Sequence, residues 1–191
     1  DDGIGQRKAK RFLQELIVNY CEENFEYYDE AGEFAFSYSE KVAMTHIITA
    51  TRKLTKTLLA ELPYKAKEGN QRFIDLWCRY EDIEYFIEVK HGYSNSKTKY
   101  EVCLKQIKDF KIRQLDKAFD KISNHRYKVA IMIMPDWISE KNTDKLSSAE
   151  LHQKYEKELR QSLHKKVNFA GMCRIKDEFA VSGNAKYSLL T

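Results

Sequence analysis

Proline occurs only twice and glycine seven times among 191 residues, which leaves little material for a turn-rich chain or a flexible low-complexity linker. No internal repeat is visible either. No stretch approaches the roughly 18 consecutive apolar residues of a membrane-spanning helix, and no signal peptide is recognisable. These absences predict a soluble, unsecreted, cytoplasmic protein without a membrane partner. Cysteine is sparse and scattered, at positions 21, 78, 103 and 173. There is no CxxC pair, so a zinc ribbon is not expected and reduced thiols are. The five histidines are equally dispersed. Positive charge is missing from one long segment: residues 12 to 40 hold eight acids and no Lys or Arg.

What is present predicts one globular domain over 1–191, because 42% of the residues are hydrophobic and a chain of this length can bury a sizeable core. An N-terminal helix is expected over about 6 to 22, basic at "QRKAKR" and then apolar at Phe12, Leu13, Leu16, Ile17 and Tyr20. "FEYYDEAGEFAFSY" reads as an aromatic hairpin turning at Ala31-Gly32. Its acidity would repel nucleic acid, which leaves it to packing or to a protein partner. A helix over 38 to 62, with Met44, Ile47, Ile48, Leu54, Leu58 and Leu62 at helical spacing, is expected to end before Pro63.

"IDLWCRYEDIEYFIEVKH", residues 74 to 91, reads as a buried β-hairpin turning at Glu81-Asp82, so that opposed residues have numbers summing to 163. One face then carries Ile74, Leu76, Cys78, Tyr80, Ile83, Tyr85, Ile87 and Val89. The other sets Phe73 against Lys90, Asp75 against Glu88, Trp77 against Phe86, and Arg79 against Glu84 as a cross-strand ion pair. Asp75 opposite Glu88 is costly. At about 5 Å and an effective dielectric of about 20, two negative charges repel by on the order of 3 kcal/mol. Lys90, two residues beyond Glu88 on the same face, supplies one positive charge, and a divalent cation would satisfy both carboxylates. A solvated salt-bridge cluster is the competing reading, against which Phe73, Trp77 and Phe86 are expected to cover this face.

The spacing of Asp75 from Glu88-Val89-Lys90 resembles the core motif of the PD-(D/E)XK nuclease superfamily, with Ile74 standing where the motif has proline. The resemblance covers about residues 36 to 135. It implies a restriction-endonuclease-like α/β core, a mixed β-sheet with a central hairpin flanked by α-helices, and hydrolysis of phosphodiester bonds, in DNA for most members. It further implies Mg²⁺ (or Mn²⁺) held by Asp75, Glu88, the carbonyl of Val89 and Glu40, with Lys90 catalytic and products ending in 5′-phosphate and 3′-hydroxyl. Glu40 has a second reading, as the acid of an S-x-x-E capping box begun by Ser37. Gln106, followed by Phe110 in a helix expected over 100 to 123, is similar to a site glutamine of an exonuclease-like branch, or is simply the shoulder of an amphipathic helix.

Charge placement is consistent with a nucleic-acid partner. The net charge is only +4, but residues 97 to 128 hold ten Lys or Arg against four acids. Lys97, Lys99, Lys105, Lys108, Lys111 and Arg113, with His91 beside Lys90, are candidates for phosphate contact, or for a solvated helix face. "YKVAIMIMP" reads as a buried strand stopped by Pro135, reached from the hairpin by a helical crossover and so parallel to it, with helices on both faces of the sheet. A helix over 148 to 165, with Leu151, Tyr155, Leu159 and Leu163 on one stripe, and short strands around Ser182-Gly183-Asn184 complete the chain. Catalytically inactive nucleic-acid binding and service as an assembly subunit remain alternatives, as does a homodimer.

Overall fold

The computed structural model describes residues 2–65, 69–92, 126–139, 172–174 and 185–190, together with Glu150, Gln153, Lys157 and Gln161. Helix α1 spans Asp2–Ala31, nine residues beyond its predicted end. Phe12, Leu16, Tyr20 and Asn24 repeat at i+4 and are all buried, and Phe25 and Tyr28 extend the inward stripe. Helical period therefore overrides the β preference of the aromatic residues, and no hairpin forms at Ala31-Gly32. Gly32 is where the helix stops: its φ is +73°, and its N–H bonds to the Tyr28 carbonyl at 2.8 Å, a left-handed C-terminal cap that glycine adopts without steric cost. Aromatic rings of this segment are packing material. Phe34 stacks on Tyr28 and Phe36, with ring centroids 4.5 and 5.1 Å away, around a single 3-10 turn, Ala35–Ser37.

Helix α2 spans Glu40–Leu54 and is capped by Ser39, whose hydroxyl accepts from the Val42 N–H. Ser37 does not cap it; its hydroxyl donates to the Phe34 carbonyl at 2.6 Å, so the predicted capping box is absent. The helix also stops eight residues early. "LLAELPYK" forms strand β1, Leu58–Lys65, with alternating exposure, although Leu, Ala and Glu favour helix. Pairing with the next strand decides the matter. Pro63, which cannot sit inside a helix, is tolerated because β1 lies at the sheet edge.

Strands β2, Gln71–Tyr80, and β3, Ile83–His91, form the expected hairpin. Glu81 and Asp82 both take positive φ, 46° and 61°, as a two-residue turn of this hand requires. The ladder pairs Tyr80 with Ile83 through Leu76 with Ile87, in the predicted register. Strand β4, Arg126–Ser139, is parallel to β3 from Glu84↔Arg126 to His91↔Ile133, as the chain order predicted. It does not end at Pro135. Met134 to Ser139 pair instead with β6, Ala185–Leu190, which also pairs with β5, Met172–Arg174. The six strands among the described residues run β1-β2-β3-β4-β6-β5. Glu150, Gln153, Lys157 and Gln161 are helical and exposed, in keeping with the predicted helix over 148 to 165.

The described helices lie against the same core. Phe12, Leu16 and Tyr20 of α1 and Ala43, Ile47 and Ala50 of α2 close over Leu76, Cys78, Tyr85, Ile87, Val89 and Ile133. A second, smaller cluster joins Phe86 and Trp77 to Ile74, Leu62 and Tyr64, so Ile74 leaves the predicted Val89 side. The helix expected over 100 to 123, and with it a layer on the other sheet face, lies outside the described residues.

Candidate active site

Asp75 occupies a point at which the sheet opens on both sides. Towards β3 the ladder ends with Leu76↔Ile87, one step short of Asp75 and Glu88. Towards β1, pairs form at Ala60↔Leu76 and Leu62↔Ile74, with none at the intervening Glu61 and Asp75. Glu61 has φ +54°, a left-handed conformation that a non-glycine residue adopts only at a cost. The gap on the β3 side is filled by a side chain. Asp75 Oδ2 accepts the Val89 N–H at 2.7 Å, giving a main-chain donor that has lost its ladder partner an acceptor instead. Asp75 and Glu88 are therefore not the directly opposed pair expected from the register.

The stretch from Glu88 to His91 gathers the remaining groups. Glu88 is buried, at 2% exposure, and a carboxylate is rarely so enclosed without specific partners. Lys90 does not lie between Asp75 and Glu88. Its ammonium donates to both oxygens of Glu40, at 2.8 and 2.9 Å, because α2 begins beside the end of β3. The His91 N–H also reaches Glu40 Oε2, at 3.4 Å. The His91 ring is fixed by Nε2, 2.6 Å from the Phe36 carbonyl; since a carbonyl only accepts, Nε2 carries the proton. Ser39 starts α2 immediately before Glu40, and the first turn of a helix favours an acid.

Two features of the predicted surroundings change. Phe73 is 53% exposed and covers little, leaving Trp77 half-buried and Phe86 buried as the apolar flank. Arg79 and Glu84 are opposed in the ladder, but their side chains part. Arg79 pairs with Asp82 at 3.6 Å, and Glu84 takes Arg126 of β4 at 2.5 Å. Beneath the site, burial pushes the Cys78 thiol up to about 12, which leaves it protonated and excludes it as a nucleophile near neutral pH.

The donor set fits Mg²⁺ or Mn²⁺ in kind. Among the described residues no three His, Cys, Asp or Glu side chains converge as a ready-made metal cage. Mg²⁺ asks for less, since it is commonly held by one or two carboxylates with water and substrate phosphate completing the octahedron. Asp75 and Glu88, with the Val89 carbonyl between the two other motif residues, are hard oxygen donors of that type. Glu61 is exposed and joins no metal-ligating group with Asp75 and Glu88; it lies in a segment expected to be helix and found as strand. The signal was Pro63 two residues later. Gln106, Lys97, Lys99, Lys105, Lys108, Lys111 and Arg113 lie outside the described residues. Among the described helices, none is long and apolar enough to cross a membrane. Compared with known protein families, curated proteins and solved structures, the chain matches none.

Proposed function

We propose that the chain is a metal-dependent nuclease with a restriction-endonuclease-like core, hydrolysing phosphodiester bonds of nucleic acid and of DNA above all. The observation that carries this reading is a linkage. Asp75 binds the main chain at Val89, and Glu40 binds Lys90 and the main chain at His91, so acids from β2 and α2 converge on the Glu88-Val89-Lys90 segment. The antiparallel hairpin followed by a parallel strand is consistent with the resembled core.

In this reading Asp75, Glu88 and the Val89 carbonyl would hold Mg²⁺ or Mn²⁺, and Glu40 would ligate directly or through water. A bound divalent ion makes a coordinated water more acidic and offsets charge developing on the scissile phosphate. The chain's own groups do the rest. Val89 N–H fixes the orientation of Asp75. Glu40 holds the Lys90 ammonium at the end of β3, from where it would orient the attacking water and stabilise the extra negative charge of the transition state. His91, anchored to Phe36, borders the same strand end. The basic segment after residue 97 supplies phosphate contacts.

A second reading rests on the same ion pair. Lys90 is already neutralised by Glu40 and no group of three metal-ligating side chains is present among the described residues, which suits a catalytically inactive nucleic-acid-binding module or an assembly subunit. A panel of linear, circular, single-stranded and branched DNA, and of RNA, separates the readings. The nuclease yields product with Mg²⁺ or Mn²⁺ and none with chelator. Binding that persists in chelator, with no product under any condition, selects the second.

A further inference from the structure

The outward face of α1 carries a charge pattern that the site does not use. Arg7, Lys10, Gln14, Val18, Glu22, Glu26 and Asp29 recur at spacings of three and four and are all exposed. Val18, at 56% exposure, is the apolar residue at the middle of this stripe. Sign reverses across it: bases precede Val18 and acids follow. The order is unfavourable for the helix itself. Asp29 and Glu30 lie in a last turn that contains no base, at the end where the helix macrodipole disfavours negative charge.

We infer that a second copy of this chain docks antiparallel on the outer face of α1, about a two-fold axis at Val18. Such an axis opposes residues whose numbers sum to 36. Arg7 then meets Asp29, Lys10 meets Glu26, Gln14 meets Glu22, and Val18 meets its own copy, so both bases on the stripe meet an acid and no like charges face each other. A two-fold interface has to be self-complementary in this way. Parallel pairing would set like charges together and is disfavoured. From Arg7 to Asp29 the seam is about 33 Å long, and the antiparallel helix dipoles relieve the acidic last turn of each copy. Lys53 offsets the acidic half only in part. Its near partner is Glu23, at 2.8 Å, while Glu22 and Glu26 stand off at 3.8 and 3.6 Å and stay 56% and 68% exposed.

Sedimentation velocity on the full chain tests this. At low salt the wild type is expected to form a dimer with concentration, and its dissociation constant to rise at least about tenfold as salt screens the pairs. Arg7→Glu with Lys10→Glu should be monomeric, as should Glu26→Lys with Asp29→Lys, and an equimolar mixture of the two should recover a dimer. All four side chains are exposed, and unchanged circular dichroism checks that the variants fold. Val18→Asp, which sets two negative charges together on the axis, should also weaken the dimer. A wild type that stays monomeric at low salt overturns the inference, as does a dimer insensitive to these reversals or a mixture that fails to associate.

Discussion

The ammonium of Lys90 lies 2.8 Å from the carboxylate of Glu40, tying the end of β3 to the first turn of α2. Each side chain keeps about a third of its surface in water, at 32% and 39%, so the pair contributes little to stability. Lys90→Met and Glu40→Gln should each change unfolding free energy by less than about 1 kcal/mol. Under the nuclease reading Lys90→Met should nevertheless lower cleavage by at least about a hundredfold, the scale lost when one transition-state donor is removed. Urea denaturation beside a cleavage time course separates the two effects.

Asp75 has a structural duty and a proposed chemical one, and substitution can divide them. Asp75→Asn keeps an acceptor for the Val89 N–H and should cost less than about 1 kcal/mol. Asp75→Ala leaves that donor unpaired and should cost about 1–3 kcal/mol. Both variants should lose cleavage, because a neutral amide is a poor ligand for a hard divalent cation. Denaturation midpoints that do not distinguish the two would show that the bond to Val89 contributes nothing.

The hairpin turn stores strain that a glycine should release. Asp82 has φ +61° and a side chain exposed to water, paired only loosely with Arg79. Asp82→Gly should stabilise the protein by about 0.5–1 kcal/mol, since glycine adopts this conformation freely. The check is a rise in melting temperature, and a fall would mean that the Arg79 contact outweighs the strain.

The tip of the hairpin is tied to α1 by a titrating cluster. Arg11 bonds Glu15 at 2.8 Å and Glu81 at 3.2 Å, and the Tyr80 hydroxyl donates to Glu15 at 2.8 Å. Hydrogen bonds first from Arg11 and then from Tyr80 hold the Glu15 carboxyl below its ordinary range, against a smaller opposing effect of burial. A depressed carboxylate contributes stability that is present above its unfolded pKa and lost as pH falls through the folded value. The stability difference between wild type and Glu15→Gln should therefore narrow on going from about pH 6 to about pH 3. Denaturation at several pH values measures it.

The hairpin was legible because a single turn dipeptide fixes its register and alternation puts Leu76, Cys78, Ile83, Tyr85, Ile87 and Val89 on one core-facing side. Two local devices were not legible. The ladder ends at Leu76↔Ile87, which no periodicity announces, so Asp75 bonds the main chain rather than facing Glu88. "LLAELPYK" has helical composition, and its conversion to an edge strand depends on contacts with residues 71 to 78. The aromatic segment failed in the opposite sense. β-forming residues placed at i, i+3 and i+4 stay helical when that stripe meets a core, and here it continues to Gly32. Glu40 stood out through the motif resemblance, but its grip on Lys90 depends on where α2 starts, and the cap is Ser39 rather than Ser37.

Incubating circular DNA with the wild-type chain and with Asp75→Asn, each in Mg²⁺, in Mn²⁺ and in chelator, decides whether Asp75 serves metal-dependent cleavage. Nicked or linear product is expected from the wild type with a divalent ion, none in chelator, and none from the folded Asp75→Asn protein. Undiminished cleavage by Asp75→Asn, or by the wild type in chelator, would contradict that role.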